Sequence, residues 1–304
     1  MVSFTEWMGI TTNALDYEFH SLDQIPRLLD EIAGLCIDAA QINIASCQFA
    51  AASLNSTDPT RALRNRINYI IGNMTNGSYV ESTGQRRVFT FDSVAEEVAF
   101  NLYGPSQYPG LAQYLLDVEN SIVSGIPGSN FSAFEKRSFS NDETANISYS
   151  SFNPSDDLRG SFNAITFNVV SCLDASFHGI DNLTSFNQRL LTLIAEDPLT
   201  AYVSLDFSIC LGLPNLTFFN VNRFTAPTFP ATLKNKMLIV GVTGDAITPY
   251  HGALATYQYT GSENAIFLIH DGYGHTSTAN PNNCTLSAIK DYLQTGNDDA
   301  LSSF

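Results

Sequence analysis

The stretch MLIVGVTGDAITPYHGA, residues 237–253, decides the fold. With the two residues before it, it opens as a short apolar run of strand length over 235–242. It then breaks at glycines and passes into the helix-like segment GALATYQY. The same order returns at once. NAIFLIHD (264–271) is a second apolar run, followed by turn residues and by the helix-like TLSAIKDYLQTG. Strand, loop and helix twice in succession predict α/β architecture with parallel strands. Two such units do not make a stable doubly wound sheet alone, and no internal repeat supplies further strands. This part therefore reads as the tail of a larger sheet.

In open α/β sheets, functional groups sit on loops beyond the carboxyl ends of the strands. Asp245 comes three residues after Val242, where the first predicted strand ends, and His275 five residues after His270, where the second closes. Neighbouring parallel strands would bring the two loops to one rim. A carboxylate there can accept the imidazole Nδ1 proton, fix the tautomer and stabilise the imidazolium, leaving the histidine free to act as general base. Gly241, Gly244, Gly272 and Gly274 allow tight backbone turns around both residues. Singly, an Asp after a strand is most often a turn former and a lone His is most often structural. The joint pattern carries more: acid then base, each after a strand, each followed by a helix, with Pro249 closing the first loop. A metal site built from His270, Asp271 and His275 is the weaker alternative, because strand alternation makes His270 a sheet residue and no third histidine is near.

Upstream, residues 20–200 read mainly as helix. LDQIPRLLDEIAGLC places Ile25, Leu28, Leu29, Ile32 and Cys36 on one face. The next segment opens with Asp58-Pro59 and stripes Leu63, Ile67, Ile70, Ile71 and Met74. DSVAEEVAFNLYGP suggests a capping box from Ser93 to Glu96 and stops at Gly104-Pro105. GLAQYLLDVENSIVSG follows with Leu111, Leu115, Val118 and Ile122, and ends at Gly125. A polar stretch over 128–160 reads as loop, followed by AITFNVVSC and the helix-like TSFNQRLLTLIAED. These stripes are packing faces. The expected organisation is a mainly helical lid or cap region over 1–232 and an α/β module over 233–304.

Composition bounds the partners. Fourteen basic against thirty acidic residues give a net charge of −16, which argues against nucleic acid, since a phosphate backbone needs a basic face. No run approaches the roughly 18 apolar residues of a membrane span. Cys36 and Cys47 are spaced as a plausible disulfide, and no C-x-x-C metal pattern occurs. Sequons at Asn55, Asn73, Asn76, Asn130, Asn146, Asn182, Asn215 and Asn283 modestly exceed what this composition gives by chance. Together with the scarcity of lysine they lean toward an extracellular protein. The N-terminus, MVSFTEWMGITT, has neither the basic flank nor the apolar centre of a signal peptide. The expectation that reconciles the two is a chain that begins inside a larger secreted protein.

At this point a resemblance becomes specific. MLIVGVTGDAITPYHGA, followed by IFLIHDGYGHTS and NNCTLSAIKDYLQTG, resembles the C-terminal module of the tripeptidyl-aminopeptidase-like (TAP-like) α/β-hydrolases. Members show a strand, a G-x-x-x-D-x-x-T-P segment, a G-x-G-H segment, a Cys and a last helix ending Y-L-x-x-G. The likeness is strong over 235–296. It extends more loosely to VSFTEWMG, to the helix with Cys36, to Cys47-Gln48-Phe49 and to AITFNVVSCLD, which are similar to that family's inserted helical lid. It implies Asp245 as triad acid and His275 as base, in the Ser…Asp…His order of the fold. No cofactor or metal is implied. The implied substrate is a peptide, cut by an exopeptidase at a free N-terminus, or else an ester. The family's serine lies in a G-x-S-x-G elbow, and that motif is absent from this sequence. GPSQY (104–108) and GIPGSNF (125–131) lack its second glycine. The expectation is therefore the lid and C-terminal part of a secreted serine hydrolase, inactive alone. A degenerate copy serving as a binding module is the non-enzymatic alternative.

Overall fold

The computed structural model describes residues 24–80, 88–125, 183–203 and 232–296. The segments VSFTEWMG and AITFNVVSC, the polar stretch 128–160, Cys172, Cys210 and the sequons at Asn130, Asn146, Asn182 and Asn215 lie outside them.

The N-terminal part is helical because its apolar residues recur at i, i+3, i+4 and i+7. Helix α1 (Gln24–Ile42) buries Ile25, Leu28, Leu29, Ile32 and Cys36, the stripe the sequence predicts. Two 3₁₀ turns, Ile44–Ser46 and Gln48–Ala50, lead toward α2 (Pro59–Met74). There the Asp58 side chain caps the helix by accepting from the Arg61 N–H at 3.0 Å, and Pro59 occupies the first turn. A short antiparallel pair, β1 (Tyr79–Val80) with β2 (Val88–Phe89), precedes α3 (Phe91–Asn101). A 3₁₀ turn at Pro105–Gln107 then feeds α4 (Tyr108–Ser124), which stops at Gly125 in the left-handed conformation. Two further helices, α5 (Leu183–Glu196) and α6 (Pro198–Val203), complete this part among the described residues.

One local expectation is corrected. The capping box of α3 joins Thr90 and Ser93, not Ser93 and Glu96. The Ser93 N–H donates to Thr90 Oγ1 at 3.2 Å, and the Thr90 N–H donates to Ser93 Oγ at 3.0 Å. Thr90 is the residue on which the chain turns from β2 into the helix, so the helix starts before Ser93 and leaves Glu96 in its interior.

Helices α1 to α4, with Leu199 of α6, share one apolar core, cross-tied by Arg66 and a disulfide. The Arg66 guanidinium forms a two-pronged pair with Glu119 of α4, with Nε donating to Oε1 at 2.8 Å. It also donates to the Phe49 carbonyl and lies 4.6 Å over the Phe49 ring. Cys36 and Cys47 are bonded, and both are buried.

The C-terminal part contains the predicted strand–helix–strand–helix order: β3 (Met237–Gly244), α7 (Tyr250–Thr260), β4 (Ala265–Tyr273) and α8 (Asn283–Thr295). β3 and β4 are parallel, in register from Met237↔Ala265 to Val242↔His270, with an irregularity before Gly244↔Tyr273. Both strands run slightly further than predicted, so Asp245 directly follows β3. On the α7 side, Phe267 of β4 packs against Tyr250 and Tyr257. The α/β architecture is thus present. Its sheet has two strands among the described residues.

The two parts are fused by packing. Ala246, just after β3, is fully buried within the apolar cluster of the helices, and Ile247 and Tyr273 pack against that cluster. The Tyr273 hydroxyl donates to Glu31 Oε2 of α1 at 3.3 Å. No helix among the described residues is long and apolar enough to cross a membrane.

Closing a loop as short as the one between Cys36 and Cys47 contributes about 2–3 kcal/mol, chiefly by restricting the unfolded chain. The double variant Cys36→Ala/Cys47→Ala is expected to lose about that much unfolding free energy in urea titrations.

Candidate acid–base site at the strand rim

Asp245 leaves β3 at its carboxyl end and turns sharply. Its Oδ1 accepts the backbone N–H groups of Ile247 and Thr248, at 2.8 and 2.9 Å. Its Oδ2 accepts the Thr248 hydroxyl at 2.8 Å and the Thr276 N–H at 3.0 Å. The side chain is 1% exposed. Burial alone would push this carboxyl up. The hydrogen bond from His275 and the backbone N–H groups of Thr248, Thr276 and Ile247 outweigh it and hold the group below its ordinary value.

His275 arrives from the end of β4. Its Nδ1 lies 3.3 Å from each Asp245 oxygen, and 3.4 Å from the Thr248 hydroxyl. In the neutral ring, the nitrogen facing the carboxylate, Nδ1, is the one that carries the hydrogen, which leaves the lone pair on Nε2. The side chain is 30% exposed, so the imidazole can meet a reactant while its acid stays out of water. The two residues singled out from sequence are therefore brought together.

The turn that aims His275 is built from unusual backbone. Gly274 has φ +91, and a Cβ there would meet the Tyr103 carbonyl oxygen at 2.8 Å and Pro105 at 3.0 Å. Thr276, the next residue but one, has φ 71, a left-handed value costly for a β-branched side chain. That conformation accompanies the aim of the Thr276 N–H at Asp245. At Gly244 a Cβ would stand 2.7 Å from the Gly272 carbonyl, so β3 and β4 meet closely where the two loops depart.

The helical part reaches the site as well. Chains leaving a helix leave carbonyls without intrahelical donors. Tyr103, just past α3, gives its carbonyl to the His275 N–H at 2.8 Å. The Tyr103 ring stands T-shaped to the imidazole, with centroids 5.2 Å apart. The Tyr108 phenol is buried with no hydrogen-bond partner among the described residues. Burial, then Tyr273 and the Asp245 carboxylate, push it up to about 12, so it stays a neutral hydroxyl beside the acid.

His270 has a different position. It is fully buried. Its Nε2 faces the Asn280 carbonyl at 3.0 Å, so that nitrogen carries the hydrogen. Nδ1 then accepts from the Thr285 hydroxyl at 2.8 Å and faces the Asn282 amide at 3.3 Å. Both ring nitrogens are spent on tying β4 to the start of α8. The Asp271 carboxylate accepts from the Thr243 hydroxyl at 2.9 Å.

Sequence reasoning missed Thr248, Thr276 and Tyr103. The D-x-x-T spacing could have found Thr248, since a short hydroxyl three residues after an Asp folds back on it. Nothing local announces Tyr103.

Two outcomes test this arrangement. The unfolded carboxyl takes up its proton at the ordinary range and the folded Asp245 only at lower pH. Its stabilisation is therefore full above about pH 4 and fades as pH falls through the folded value. Asp245→Asn should be less stable than the parent at pH 7, with the gap in urea midpoint closing toward pH 3. Gly274→Ala should shift the His275 ring resonances, because the added methyl drives the loop off Tyr103.

Residues 196–303 match the family described as TAP-like protein, a group of α/β-hydrolases. No curated protein and no solved structure matches the chain. Over residues 196–303 the chain is thus similar to the TAP-like family.

Proposed function

We propose that this chain carries the acid and base of a secreted serine hydrolase, an exopeptidase that removes short peptides from free N-termini. The observation that carries the proposal is the buried, ionised Asp245 on Nδ1 of a half-exposed His275 at the carboxyl rim of two parallel strands. Nε2 of His275 takes the proton of a serine hydroxyl as that oxygen attacks the substrate carbonyl. The imidazolium so formed is stabilised by Asp245. It then returns the proton to the departing amine, and the acyl-enzyme is released by water through the same steps in reverse.

The serine comes from a strand–G-x-S-x-G–helix segment outside this sequence. Parallel strands are ordinarily covered on both faces. Here Met237–Val240 are only half-buried, and Ile269 of β4 and Leu286 and Leu293 of α8 are exposed, which suits a sheet that continues into further chain. The Cys36–Cys47 bond favours an extracellular setting. The absence of G-x-S-x-G from the sequence favours a second reading, a non-catalytic copy that binds but does not cut.

Joined to the strand–G-x-S-x-G–helix segment, the protein should hydrolyse a tripeptidyl chromogenic substrate. Asp245→Asn should cut kcat by about 10⁴-fold and His275→Ala by about 10⁶-fold, as for loss of the triad acid and base. Rates equal to the parent's in both variants would sink the assignment. The chain alone should not react with a fluorophosphonate, and stoichiometric labelling would place the nucleophile among its own serines.

A further inference from the structure

The outer face of α3 leads into the site. Phe100, on its last turn, is 64% exposed, and Tyr103, just past its end, is 43% exposed. Their ring centroids lie 6.3 Å apart, and the Tyr103 ring in turn stands 5.2 Å from the His275 imidazole. A single exposed aromatic needs no explanation. Here three rings form a continuous row from solvent to the proposed base.

The inner end of the row is fixed by backbone. The His275 N–H is bonded to the Tyr103 carbonyl, and Gly274 is seated against that same carbonyl and Pro105. The ring of Tyr103 and the imidazole therefore hold their spacing, as a binding pocket beside a reacting bond requires. Nδ1 is engaged by Asp245, so the working edge of the imidazole is its Nε2 side. A group resting on the Tyr103 ring lies within one side-chain length of it. Aromatic faces of this kind gain from offset or edge-on contact with another ring and from covering apolar surface. They offer little to a small polar group.

We infer that Phe100 and Tyr103 form an apolar subsite that takes a hydrophobic, preferably aromatic, side chain of the substrate residue next to the bond being cut. The identity of the occupant as a substrate rests on the hydrolase reading of Asp245 and His275. The binding does not.

The test uses the full chain carrying ¹³C at histidine Cε1, in which five histidines report and His275 is assigned by the signal missing from His275→Ala. N-acetyl-phenylalanine amide should move the His275 signal saturably, and N-acetyl-asparagine amide at equal concentration should not. Phe100→Ala, at an exposed position, should weaken the phenylalanine probe about fivefold, with Phe100→Leu retaining most of the affinity. A His275 signal that ignores the phenylalanine probe, responds equally to asparagine, or is unaffected by Phe100→Ala overturns the subsite. Turnover is not read in this experiment, so a failure of the hydrolase reading is distinguishable from a failure of the subsite.

Discussion

A carboxylate that is almost wholly out of water organises the rim. An isolated buried charge would be neutralised rather than tolerated. Asp245 stays ionised because three backbone N–H groups, a threonine hydroxyl and an imidazole replace its hydration. Those donors come from both loops, so satisfying the charge also sets the loops against each other. The left-handed Thr276 is part of the cost of that arrangement, since its N–H is one of the groups turned inward.

The sequence made the strands and their rim residues legible through physics that is local. MLIVGVTG and AIFLIHDGY are too short and too apolar for surface helices, and the glycines after each run mark where the chain must turn. The helix stripes were equally plain, because a core face repeats every three or four residues whatever lies opposite. The cap of α3 was misjudged by one turn. Ser93 and Glu96 have a suitable spacing, but Thr90 meets the same need first, and only the end of β2 shows that the chain turns there.

Tyr103 was not legible for a different reason. Its contribution is a carbonyl, which every residue has, and a ring whose partner lies far along the chain. Pairings of that kind are created by the fold and leave no spacing to read. The same holds for His270, whose partners Asn280, Asn282 and Thr285 form a unit only once β4 and α8 are in place. It resembles a site in sequence and acts as a fastener in the structure.

Ala246 has a consequence of its own. It belongs to the rim loop by sequence and to the interior of the helices by packing, at zero exposure. No cut between the helical and α/β parts can therefore spare the interior: an excised C-terminal piece would carry a hydrophobic wound beside the acid it is meant to hold. The helices and the rim therefore melt together.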